Sequence, residues 1–188
     1  MRHTLLPVVI TVLALSGCAT GSSPSAAGPA SSPRPTAVAG SSPAVPAPSA
    51  GTAIALGDYD AARDSAADIG KALAAAKKSG RNVLIDFGAD WCLDCRVLTE
   101  LSTDPSVAAQ LTKGYEVVSV DVGEFDRNLD VAADWGVNLR SSGIPALVVL
   151  SPAGKVKVAT NDGSFAGASS MAPADVSAFL TRWAPAAP

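Results

Sequence analysis

Asp86-Phe87-Gly88-Ala89-Asp90-Trp91-Cys92-Leu93-Asp94-Cys95 is the key stretch of this 188-residue chain. Immediately upstream, Val83, Leu84 and Ile85 form a continuous aliphatic run, the pattern of a strand covered on both faces and central in an α/β sheet. The strand is expected over residues 81–87, with Gly88 opening the loop that carries the cysteines. Two cysteines at i and i+3, separated by a turn and a helix start, can close a disulfide with little backbone movement. A helix N-terminus favours a nearby anion, so Cys92 is expected to be the attacking sulfur and Cys95, one turn further in, the resolving one. The pattern points to thiol-disulfide chemistry. A static surface bridge is the structural alternative, and half of a zinc site is another, although no further Cys or His of the domain would complete the coordination.

On either side of the cysteines the chain alternates helices and strands. Residues 58–78 are alanine-rich with spaced charges and Gly80 behind them, which predicts one helix or two short ones. After the cysteines, residues 96–101 read as helical, and Asp104-Pro105 has the form of an N-cap with proline at the first helical position, opening a helix toward Lys113. Residues 115–121, through Val117, Val118 and Val120, predict a second strand, and 126–135 a helix closing near Gly136. Residues 146–150 predict a third strand, Pro152-Ala153-Gly154-Lys155 a tight turn, and 155–160 its hairpin partner. A last helix starts near Pro173, with Val176, Phe179, Leu180 and Trp183 on one face as core.

The N-terminus reads differently. Arg2 followed by the apolar run 5–15 has the build of a secretory signal, too short for a membrane-spanning helix. Leu15-Ser16-Gly17-Cys18 resembles the bacterial lipobox, in which the cysteine receives diacylglycerol and becomes the first residue after cleavage; Cys18 is therefore the expected lipidation site. Residues 19–51 are almost wholly Ala, Ser, Pro, Gly and Thr with one charge, Arg34. Such a segment is a tether, reaching from about 30 Å as a coil to about 100 Å extended. The expected organisation is a signal over 1–17, a lipidated and disordered tether over 18–52, and one domain over 53–188. The sole histidine, His3, lies in the signal, which excludes histidine catalysis from the mature domain. A net charge of −3 and dispersed basic residues give no footprint for nucleic acid.

The order of elements, the Cys-x-x-Cys after the first central strand and Gly143-Ile144-Pro145 ahead of a strand-turn-strand-helix ending resemble the thioredoxin superfamily over residues 60–184. The resemblance implies an α/β thioredoxin-like fold, a central mixed β-sheet flanked by helices. It assigns nucleophile and resolving roles to Cys92 and Cys95. It also implies a cis bond before Pro145, which would leave the Ile144 backbone free to pair with an extended substrate segment beside Cys92. Trp91 would offer an apolar docking face, and Asp86 would be a buried acid able to take the proton of Cys95. The loop looks most like those of bacterial envelope thioredoxin-like proteins, including the C-terminal domains of membrane disulfide reductases.

Three features depart from thioredoxin itself. Asp94 stands between the cysteines where thioredoxin has Gly-Pro, and its charge would oppose a thiolate at Cys92 unless solvent screens it. The strand 115–121 lacks the lysine often paired with the buried acid. Residues 160–172 are long and rich in glycine and serine, expected as a plain solvated loop, with Asn161, Asp162 and Phe165 able to shape substrate choice if it flanks the site.

The expected function is that of an envelope thiol-disulfide oxidoreductase, reducing protein disulfides with the Cys92/Cys95 pair as its only redox group. It would be anchored by lipid on the extracytoplasmic side and served by a membrane electron-transfer partner. The alternative is a non-catalytic binding module or Cu(I) metallochaperone, since soft thiolates suit Cu(I).

Overall fold

The computed structural model of the chain describes residues 56–186. The signal, the Cys18 lipidation site and the tether over residues 1–52 lie outside the described residues. The first helix, α1 (Ser65–Ser79), starts at Ser65 rather than near residue 58, where the alanine pattern begins. Asp64 takes the N-cap, its carboxylate accepting from the Ala67 N–H at 2.9 Å, which satisfies an otherwise orphaned donor. Gly80 closes α1 in the left-handed conformation with φ 75°. The residues released from the expected helix continue the segment from Leu56 as an arm, in which Leu56 and Tyr59 are buried.

Strand β1 (Asn82–Gly88) is buried at every position. Cys92 is the N-cap of α2 (Leu93–Ser102), and Asp104 caps α3 (Pro105–Gly114) through the Ser106 N–H at 2.9 Å. Strand β2 (Tyr115–Asp121) follows as expected. The next helix, α4 (Leu129–Asp134), is shorter than predicted because Asn128 holds φ 52°, and its amide donates to the Asp121 carbonyl at 2.7 Å to make a turn of residues expected as helix. A one-turn helix, α5 (Leu139–Ser142), has no counterpart in the sequence pattern. Strands β3 (Ala146–Leu150) and β4 (Val156–Ala159) form the hairpin, and α6 (Pro173–Arg182) closes the domain.

The sheet order is β2-β1-β3-β4, with β1 parallel to β2 and antiparallel to β3, and β3 antiparallel to β4. This is the expected mixed sheet between helices. Strand alternation sends Val83, Ile85 and Phe87 into a core shared with Ile69, Ala72 and Ala76 of α1. Leu84 joins a second core with Leu98, Val107, Leu111, Leu147, Val176 and Leu180. A central strand with both faces packed places the end of β1, and so the cysteine loop, on rigid backbone.

The segment 160–172 is largely the exposed, turn-rich loop expected, but it is anchored at a few points. Phe165 and Ala168 are buried in the second core, and the Phe165 ring meets Phe179 edge-on at 4.9 Å. Phe165 is thus a core residue and not a substrate contact. The Asn161 side chain bonds the Asn138 N–H and the Gly136 carbonyl, tying the segment to the turn before α5.

Candidate active site

The site is built where β1 ends and α2 begins. Cys92, in extended backbone at the N-cap, turns its sulfur over the first turn of α2 and accepts the Cys95 N–H at 3.2 Å. This is the position of a serine or threonine cap, occupied here by sulfur. The Cys92 thiol also points to the Ile144 carbonyl at 3.6 Å. The Ile144–Pro145 peptide is cis, and both residues are buried. Cys92 and Cys95 are both free thiols, Cys95 fully buried.

Trp91 is 49% exposed and not core. Its indole N–H donates to the Gly123 carbonyl at 2.9 Å, and its ring stands edge-on to Phe125 at 6.0 Å. Leu93, on the other side of Cys92, is 60% exposed. The nearly covered Cys92 sulfur is therefore flanked along the chain by two accessible apolar side chains, the kind of surface that receives an extended apolar segment.

Behind the cysteines, Asp86 is wholly buried in β1. Its Oδ2 accepts from the Tyr59 hydroxyl at 2.8 Å, the Gly57 N–H at 3.1 Å and the Ser119 hydroxyl at 3.5 Å. Its Oδ1 has no partner among the described residues. Burial pushes the carboxyl up to about 6, and the three donors offset only part of that push. Burial also drives the Cys95 thiol well above its ordinary value, with Cys92 and Asp86 pushing in the same direction and a backbone bond at Ala89 against it. The lysine absent from β2 is replaced by neutral donors: Ser119 sits directly opposite Asp86 in the β1–β2 register.

All the sequence-predicted site residues of the described part, Cys92, Cys95, Asp86, Trp91, Ile144 and Pro145, converge on this end of the sheet. Sequence reasoning missed Gly57, Tyr59 and Gly88. A Cβ at Gly88 would collide with the Tyr59 ring, so the glycine after Phe87 is what admits the tyrosine. Asp94 does not stand free beside Cys92: its Oδ1 accepts the Ser169 N–H at 2.7 Å, fastening the segment 160–172 to the start of α2.

A buried thiol pair at a helix start, one sulfur close to the surface and the other beside a buried acid, can attack a disulfide and then close on itself. Comparison with known proteins agrees with this geometry. A structure described as a disulphide isomerase from Xylella fastidiosa Temecula1 is 38% identical, with 66% of this chain and 95% of that one aligned at a TM-score of 0.64. Two curated proteins of Pseudomonas aeruginosa, named thiol:disulfide interchange proteins DsbD 1 and DsbD 2, are each 35% identical, over 91 and 92 residues. The match takes in 47% of this chain and only 14% and 15% of those much longer proteins. A family described as thioredoxin-like matches residues 58–152, half of the chain and all of the cysteine site. The chain belongs to the thioredoxin-like family.

Proposed function

We propose that the protein is a thiol-disulfide oxidoreductase of the cell envelope that reduces disulfides in other proteins. The observation that carries this reading is the Cys92 sulfur at the α2 N-terminus, 3.6 Å from the Ile144 carbonyl and between exposed Trp91 and Leu93. Cys92 attacks the substrate disulfide and forms a mixed disulfide, with Ile144 and the apolar side chains holding the substrate strand. Cys95 then gives up its proton and attacks Cys92, releasing the substrate thiol and leaving the domain oxidised. Asp86, raised to about 6, is ionised at neutral pH and serves as the acceptor of that proton.

The reducing direction rests on the likeness of the cysteine loop to those of membrane disulfide reductases, and the reduction potential of the Cys92/Cys95 pair decides it. The thiol:disulfide interchange names of the similar proteins support protein disulfides as substrates. The lipobox-like Cys18 and the tether support attachment to the outer face of a membrane, where electrons would come from a membrane electron-transfer partner. Among the described residues no helix is long and apolar enough to cross a membrane.

Reduction of insulin disulfides by the full chain, with a chemical reductant regenerating it, tests the reading. Turnover is expected, abolished in Cys92→Ser, with Cys95→Ser accumulating a mixed disulfide visible by mass spectrometry. Equal and mild losses in both variants would make the pair a structural bridge instead.

A further inference from the structure

The turn between β2 and α4 holds a bulky residue in a backbone conformation that such residues avoid. Gly123, Phe125 and Asn128 have φ of 54°, 62° and 52°, all in the left-handed region. Glycine and asparagine tolerate that region, whereas an aromatic residue there is an outlier that persists only where its surroundings over-determine the backbone. Here they do. The Val122 N–H donates to the Gly88 carbonyl at 2.9 Å, and the Val122 carbonyl accepts the Asp126 and Arg127 N–H groups at 3.2 and 3.3 Å. The Asp126 carboxylate accepts the Glu124 N–H at 3.0 Å. Arg140 of α5 donates to the Phe125 carbonyl at 3.1 Å, tying the turn to the element that leads into Gly143-Ile144-Pro145. The Phe125 ring packs half-buried against the first core and meets the Trp91 ring edge-on at 6.0 Å. The Gly123 carbonyl, two residues earlier, accepts the Trp91 indole N–H at 2.9 Å. Trp91, half exposed and next to Cys92, is thus held at both its ring face and its polar edge by this one turn.

We propose that Phe125 is a positioning residue for protein substrates, acting through Trp91, whose ring it sets in place beside Cys92 before a substrate arrives. The inference rests on the oxidoreductase reading and deepens it, assigning part of protein recognition to a residue outside the Cys-x-x-Cys motif. An exposed tryptophan free to change rotamer loses that freedom when a substrate segment packs on it, and the loss weakens binding. A ring already fixed by an aromatic neighbour and an indole hydrogen bond avoids most of that cost. The gain belongs to binding and not to sulfur exchange, because neither Phe125 nor its backbone bonds touch the cysteines. It also belongs only to substrates long enough to reach Trp91, which a protein segment is and a small disulfide is not. A glycine at position 125 would adopt φ 62° without strain, so the turn would survive while the Trp91 ring lost its neighbour. The aromatic side chain at this position is therefore there for the ring it meets and not for the turn it strains.

The test compares two disulfides, insulin and bis(2-hydroxyethyl) disulfide, reduced by the full chain with Cys18→Ser in every sample so that two thiols remain. In Phe125→Gly the KM for insulin should rise by about 10-fold, with kcat and the rate on the small disulfide each staying within about two-fold. Phe125→Leu keeps apolar bulk against the core without the aromatic edge, and should raise the insulin KM by about three-fold or more. Phe125→Tyr keeps the ring and should stay within about two-fold of the parent. The Trp91 indole N–H resonance, identified by its loss in Trp91→Phe, should exchange with solvent faster in the Gly and Leu variants and not in the Tyr variant. Should Phe125→Gly fail to fold, the contrast between Leu and Tyr decides the matter. An insulin KM or an indole exchange rate unchanged in Phe125→Leu would overturn the proposal. Equal losses on the two disulfides would overturn it as well, because the ring would then act on the cysteines or on the fold. If the parent protein reduced neither disulfide, or only the small one, the reading on which the inference rests would fall instead.

Discussion

Asp86 sits at the junction of chemistry and stability. Its carboxyl is raised from an ordinary 3.8 to about 6 by burial, so between those values the folded protein binds a proton that the unfolded chain has already released. Stability from this group is therefore fully present below about pH 4 and lost as pH rises through about 6, the reverse of a salt-bridged carboxylate. A displacement of that size corresponds to about 3 kcal/mol at neutral pH and above. Asp86→Asn should raise stability to urea at pH 8 by up to that amount and flatten the dependence between pH 4 and 7, while slowing closure by Cys95. A variant with no gain at pH 8 would mean that the carboxyl is not desolvated as described. A buried acid with one unpartnered oxygen in the centre of a sheet costs stability, and in the proposed function it serves as the acceptor of the Cys95 proton.

Among the elements, the segment 160–172 marks the boundary between what is legible in the sequence and what is not. Its glycines and serines carry no period, and composition alone reads as loop. Packing anchors it at points that composition does not reveal, because Phe165 can enter the second core and Asp94 can accept the Ser169 N–H. Phe165→Ala is accordingly expected to cost about 3 to 5 kcal/mol in urea denaturation. Asp94→Ala should cost only about 1 kcal/mol while speeding hydrogen exchange at Ser169. A loop without these anchors would show neither effect. Strands β1, β2 and β3 are legible because each is an aliphatic run, and α3 because Asp104-Pro105 is a local capping signal. The cysteine pair and Pro145 are legible as a motif. Tyr59 is not, because the alanine-rich run from residue 58 has helical composition, and only the cap at Asp64 shows where the helix begins. Gly88 carries a second signal, a glycine at the end of a buried strand where another side chain closely approaches.

In the molecule as a whole, the proposed lipid anchor at Cys18 would join a membrane address to the thioredoxin-like domain. Labelling cells with radioactive palmitate should mark the protein, and Cys18→Ala should abolish the label and release the domain from the membrane fraction. Label retained without Cys18 would contradict the anchoring. If residues 19–51 act as the tether expected from their composition, a reductase so anchored would be concentrated near a membrane electron donor. Everything proposed for the domain turns on whether the Cys92/Cys95 pair is a reducing one, and its reduction potential decides that. The full chain, with Cys18→Ser to remove the third thiol, would be equilibrated against defined thiol buffers and followed by Trp91 fluorescence. A reducing pair should show about −250 mV or lower, whereas a value near about −120 mV would make the protein an oxidant and refute the reductase assignment.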